Sequence, residues 1–190
     1  MFKIILSAII CLIGVVSFAN EKEAKTIAEA FIKKVEGKVV INGKHVTYDD
    51  LTAQYIKGKF NPKKVWADNE SFSVFQLRCK GTPTIGYGTT AFKWVSKHYI
   101  TEEEAIQALR DDINYVYKRL VRKYEPYFDR LAPHQKAALI SYHYNCGYSP
   151  HPRLFKLMQT KPADCWKEMD AKGSETRRMK EWALYRGEIK

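Results

Sequence analysis

Pro83-Thr84-Ile85-Gly86-Tyr87-Gly88-Thr89 is the stretch on which the reading of this chain turns. Two glycines so close together suit a strand interior poorly, because glycine gives up the most backbone entropy and packs nothing. The segment is therefore expected to turn tightly and bring backbone close to something bound. Working outward toward the amino terminus, Ala24, Ile27, Ala28, Phe31, Ile32 and Val35 recur at helical spacing between Glu21 and Glu36, and Gly37 is a natural stop. Glu36 thus falls in the last helical turn. There the negative end of the helix dipole favours the protonated carboxyl, the state from which a leaving oxygen of a sugar acetal is protonated.

Between these two segments, Val39-Val40-Ile41, the turn signal Asn42-Gly43 and His45-Val46-Thr47-Tyr48 predict a hairpin, and the alternation from Ser71 to Leu77 predicts a further strand. Beyond Thr89 the pattern turns helical. Thr101-Glu102-Glu103-Glu104 has the form of a capping box, and Ile106, Leu109, Ile113, Val116, Leu120 and Val121 mark one buried face up to about Tyr124. Pro133 opens another helix at a favoured first-turn position and Gly147 closes it. Three more helices are expected near residues 153–159, 163–172 and 174–185, with Trp166, Trp182 and Tyr185 in the core.

Four segments now stand in order: Phe31-Ile32-Lys33-Lys34-Val35-Glu36-Gly37, the Thr84 to Gly88 turn, Leu131 to Leu139 followed by Tyr144-Asn145-Cys146-Gly147, and Arg177-Arg178-Met179-Lys180-Glu181. Together the chain resembles the phage-type lysozymes, the endolysin family of glycoside hydrolases. The resemblance implies an α+β lysozyme-like fold, in which a small sheet-bearing lobe and a larger helical lobe flank a cleft. It also implies a muramidase acting on peptidoglycan glycan strands. Residues 38–78 form an insertion in the small lobe, since the family separates its Glu-Gly from its Thr-x-Gly-x-Gly by a shorter stretch.

On that resemblance Glu36 is the general acid, protonating the oxygen between N-acetylmuramic acid and N-acetylglucosamine. Thr84 matches the threonine whose hydroxyl places the attacking water, a task suited to a group that both donates and accepts. The family's second acid is missing, and Cys79 lies nearest to its place. A thiol at its ordinary pKa of about 8.5 is mostly protonated at neutral pH and needs a cationic neighbour to serve as a base. Asp68 and Glu70 are the carboxylates that offer a replacement. Gly86, Tyr87 and Gly88 are expected beside the sugar, and Asn145 as a substrate contact from the family's cleft-facing helix.

The first 19 residues read as a signal peptide: Lys3 precedes an apolar run from Ile4 to Val16, and Ser17-Phe18-Ala19 supplies the small residues of a cleavage site. That run is too short for a membrane span, so no stable insertion is expected after its removal, and the domain should comprise residues 20–190. Release is expected into the periplasm or beyond it. The formal charge of +11 includes Lys3, the one charged side chain before Asn20, which leaves +10 for the remainder. Such a balance suits an anionic polymer such as a bacterial wall, while the absence of an uninterrupted basic block weighs against a nucleic-acid arm.

Cys79, Cys146 and Cys165 follow the leader, an odd number that permits one disulfide at most. No Cys-x-x-Cys or His-Glu-x-x-His is present, so no metal or other cofactor is expected, and a monomer suffices. A papain-like pairing of Cys79 with His134 or His143 lacks a base-orienting partner. Two further readings stay open: a lytic transglycosylase, which manages with one glutamate, and a wall-binding module without activity.

Overall fold

Apolar residues at helical spacing organise most of the described backbone into helices. The computed structural model describes residues 20–36, 40–41, 44–46, 66–67, 70–71, 85–97, 99–147, 151–169 and 175–189. Helix α1 runs over 20–36, α2 over Phe92–Val95, α3 over Glu102–Tyr124, α4 over Pro133–Cys146, α5 over Pro152–Thr160 and α6 over Glu175–Tyr185. Tighter 3-10 segments cover Phe128–Arg130 and Pro162–Glu168. The expected leader, Thr84, Cys79, Asp68 and the strand beyond Ser71 lie outside the described residues. Contacts divide the chain into two compact units, Ile32–Asp112 and Met1–Phe31 with Ile113–Lys190.

In the second of these units the described core is built mainly by helices. α4 is buried over eight consecutive residues, Lys136 to His143, as befits a helix packed on every side. Its start is pinned by Pro133 and by Gln135, whose Oε1 accepts from the Ala132 amide at 3.0 Å. It ends at Gly147, as expected, with φ +70 and ψ −177, a backbone conformation open almost only to glycine. α4 packs along α6, and Ala24, Ala28 and Phe31 of α1 join Ile113, Tyr117, Leu120 and Tyr124 of α3 in the same core. Lys136 is buried too, donating to Asn20 Oδ1 and to the Asp129 carbonyl, each at 3.2 Å.

Two expectations change here. The segment expected as a helix over 163–172 is the 3-10 stretch Pro162–Glu168. Trp166 and Trp182 pair with ring centroids 5.8 Å apart but stay half-buried, whereas Tyr185 is in the core with its hydroxyl donating to the Pro162 carbonyl at 2.5 Å.

In Ile32–Asp112 the buried set is Ile32, Ile85, Tyr87, Trp94, Ile100, Ala105, Ala108 and Leu109. The capping box forms as expected: Glu104 N donates to Thr101 Oγ1 at 3.2 Å, and Thr101 N to Glu104 Oε2 at 2.9 Å. Backbone pairing amounts to fragments. β1 Val40–Ile41 pairs antiparallel with β2 Lys44–Val46 around the Asn42-Gly43 turn signal, β2 pairs with β5 Tyr99–Ile100, and β3 Trp66–Ala67 pairs with β4 Glu70–Ser71. Among the described residues these paired pieces run over two and three residues, against the usual strand of five or six, and Ile100 of β5 is buried.

The α+β fold with a small sheet-bearing lobe is therefore corrected, because the described residues are predominantly helical and form no such lobe. The buried stripe of α3 also differs from the expected one. Ala105, Ala108, Tyr117 and Tyr124 are buried, while Ile106, Val116 and Val121 are half-exposed. Leu109, Ile113 and Leu120 are buried as expected, and the small and aromatic side chains complete the seam, which a search for aliphatic periodicity passes over.

Candidate functional site

Within Ile32–Asp112 the glycine-rich segment does form the tight turn its composition requires. Ile85 and Thr89 exchange backbone hydrogen bonds of 3.0 and 3.1 Å, closing a three-residue loop. Gly86 at φ +64 and Gly88 at φ +94 occupy the left-handed region that favours glycine. At Gly86 there is a second requirement, since a Cβ there would stand 3.1 Å from the Cβ of Ala105. The turn thus packs directly on the first turns of α3.

Tyr87, between the glycines, is only 4% exposed. Its hydroxyl donates to Glu102 Oε1, and the Lys33 ammonium sits 5.5 Å from its ring centroid. The ring that was expected beside a pyranose is thus largely covered, and the loop's accessible edge is the half-buried backbone at Gly86 and Gly88. Thr89 is buried and its hydroxyl hydrogen-bonds Asp112, whose carboxyl is pushed up by burial and by Asp111 against the pull of Thr89 and Lys93. Asp111 is held below the usual carboxylate range by Lys93, 2.6 Å away, and by Gln107.

Glu36 is the last residue of α1 and half-exposed. It belongs to the same compact unit as the Ile85–Thr89 turn. Glu70 contributes backbone to β4, while Thr84 and Cys79 fall outside the described residues.

In the other unit Asn145 stands exposed in the last turn of α4. Its Oδ1 accepts from Arg178 Nη2. Arg178 is 1% exposed, and its Nη1 pairs with Glu181 Oε2. Glu181, fully buried, also meets Arg177 Nε at 2.9 Å and accepts from the Ser141 hydroxyl at 2.6 Å. Burial pushes the Glu181 carboxyl up, opposed by the two guanidiniums and the hydroxyl. Two arginines, one carboxylate and one serine thus form a charged cluster behind Asn145, in which, among the described residues, the buried Arg178 Nε alone is left without a partner.

The sequence pointed to Arg177-Arg178-x-x-Glu181 as a motif without assigning it a site. Its signal was the i, i+3 and i, i+4 spacing, which places both guanidiniums on the carboxylate's side of a helix. Ser141, Thr89, Asp112 and Glu102 carried no signal, because their partners come from other elements.

His143 lies among aromatic rings, Tyr142 at 5.3 Å, Tyr124 at 6.4 Å and His151 at 5.5 Å between centroids, while Cys79, with which it was paired as an alternative, lies outside the described residues. Burial, with His151 and Lys123 nearby, holds its imidazole down to about 4. It is therefore neutral at physiological pH. Among the described residues no group of three or more His, Cys, Asp and Glu side chains is placed to hold a metal ion, and no helix is long and apolar enough to cross a membrane.

A family model described as Phage lysozyme matches residues 67–186. The matched span takes in Cys79, the Thr84–Gly88 turn, Asn145 and the Arg177–Glu181 cluster, begins inside the 38–78 insertion, and leaves Glu36 outside. No curated protein and no solved structure matches the chain.

Proposed function

The chain belongs to the phage lysozyme family, whose members are peptidoglycan-directed glycoside hydrolases, and from that premise we propose that it is an exported muramidase with Glu36 as its general acid. It cleaves the β-1,4 bond between N-acetylmuramic acid and N-acetylglucosamine. The observation that carries the reading is the family match over residues 67–186, joined to a half-exposed glutamate at a helix end in the unit that also holds the glycine turn.

In this reading Glu36 gives its proton to the leaving oxygen as the anomeric carbon takes on oxocarbenium character. Thr84 places water for attack on that carbon, and Cys79 stands where the family carries its second acid. Gly86 and Gly88 present backbone to the sugar, Tyr87 braces their turn from inside, and Asn145 holds the glycan.

Mass spectrometry of wall fragments released by the purified chain tests the proposal. Muropeptides with reducing ends are the expected product. Anhydro-muramyl ends, lighter by one water, would mean that the sugar's own hydroxyl replaced water, as in a lytic transglycosylase. Release of no fragment would leave a wall-binding module.

A further inference from the structure

Tyr87, expected beside a sugar, is 4% exposed, and its side chain links three elements of the unit Ile32–Asp112. Its hydroxyl donates to Glu102 at the start of α3. Against its ring lies the Lys33 ammonium from the last turns of α1, 5.5 Å from the centroid. A phenol that donates to a carboxylate carries more negative charge on its ring, so the bond to Glu102 strengthens the pull on Lys33. The backbone at Tyr87 is fixed as well. It belongs to the turn closed by Ile85 and Thr89, and the neighbouring Gly86 packs on Ala105.

Lys33 and Glu36 stand three residues apart on α1, and side chains at that spacing share a helix face. The face that carries Glu36 is therefore the one drawn onto Tyr87. We infer that Tyr87 is a positioning residue: by holding Lys33 against a turn anchored on α3, it sets the distance between the acid Glu36 and the backbone edge at Gly86 and Gly88. The inference rests on the muramidase reading and adds to it the means by which the acid and the turn are kept in register. A general acid must come within hydrogen-bond reach of the oxygen it protonates, and a displacement of about 1 Å can cost about 100-fold in rate.

The test uses leaving groups of different acidity, because only a poor leaving group needs the proton. Wild type, Lys33→Met, Tyr87→Phe and Tyr87→Leu are assayed on intact wall and on a dinitrophenyl glycoside of the wall disaccharide, whose phenolate departs unprotonated. Methionine keeps an unbranched stem without the charge, phenylalanine keeps the ring without the bond to Glu102, and leucine removes the ring. On wall, kcat should fall about tenfold in Lys33→Met and Tyr87→Phe and about 100-fold in Tyr87→Leu, with KM within about twofold of wild type. On the dinitrophenyl glycoside all three variants should stay within about twofold of wild type.

An equal loss on both substrates in folded variants would mean that Tyr87 merely stabilises the turn, and it overturns the inference. A Lys33→Met that keeps the wild-type rate on wall overturns it too. Should Tyr87→Leu fail to fold, the two milder variants decide by the same comparison, since Lys33 is half-exposed and phenylalanine keeps the buried ring. If wild type cleaves no wall, the hydrolase reading fails. In that case, or if the glycoside alone is refused, proton NMR decides the inference. Lys33 side-chain protons shifted upfield by the ring in wild type, with a Glu36 amide that moves on Tyr87→Phe, support it; unshifted protons or an unmoved amide overturn it.

Discussion

Glu36 keeps partial exposure at the carboxyl end of α1, so a substrate can reach its proposed acidic proton while the helix behind it remains packed. Glutamine has the same shape and hydrogen-bonding reach but has no such proton to give. Glu36→Gln should therefore melt within a degree or two of wild type and clear wall suspensions at least about 100-fold more slowly, the usual scale for a lost general acid. Parallel turbidity and thermal-melt measurements check this. A folded variant that clears near the wild-type rate would remove Glu36 from the acid role. The match to the family begins after Glu36, so this one substitution bears more on the mechanism than any other.

Two predictions belong to single elements. The turn closed by Ile85 and Thr89 needs a residue that accepts φ +64 and leaves room for Ala105. Gly86→Ala adds both left-handed strain and a close Cβ contact, for a loss of about 2–3 kcal/mol. Gly147→Ala meets nothing within 4 Å but a backbone of φ +70, ψ −177 that is open almost only to glycine. It should lose about 1–3 kcal/mol, the strain term alone. Denaturant titration measures both variants, and a Gly86→Ala loss below about 1 kcal/mol would mean that the turn is not packed on α3.

The pairing of His143 on α4 with His151 beside α5 gives those helices a pH dependence. The His143 imidazole is held down to about 4 by burial, against its ordinary 6.5, and His151 is lowered for the same reason. Between those values the unfolded chain binds a proton that the folded one refuses. Stability is thus complete above about pH 6.5, declines as the pH falls toward 4, and levels below that. The loss from His143 is on the order of 3 kcal/mol. Replacing His143 by Phe should flatten the slope of urea midpoint against pH over that window.

At the scale of the whole molecule the dominant quantity is charge. With a formal net charge of +11, adsorption to an anionic wall should be strong at low ionic strength. Raising salt from about 0.05 to 0.5 M shortens the screening length from roughly 14 to 4 Å, so adsorption should weaken several-fold. A pelleting assay on purified wall measures it. Salt-insensitive adsorption would place the affinity in specific glycan contacts instead.

What the sequence determined by itself is local in origin. Helix starts and stops at Thr101, Pro133 and Gly147, the tight turn at Gly86 and Gly88, and the i, i+3 and i, i+4 grouping of Arg177, Arg178 and Glu181 follow from backbone sterics and spacing within a few residues. The order of the four motifs was enough to identify the family, because it too is a property of the chain. Only the tertiary structure decided which faces are buried and which atoms meet. Among the described residues, which strand meets which is such a decision: β2 pairs with both β1 and the distant β5, because alternation permits a sheet without naming the neighbour. Tyr87 lies inside because Glu102 and Lys33 close around it. Asn145 points its amino group outward because a buried guanidinium from another helix claims its oxygen. Each of these depends on partners that are distant in sequence or brought together only by packing, and no periodicity or motif spacing encodes such a meeting.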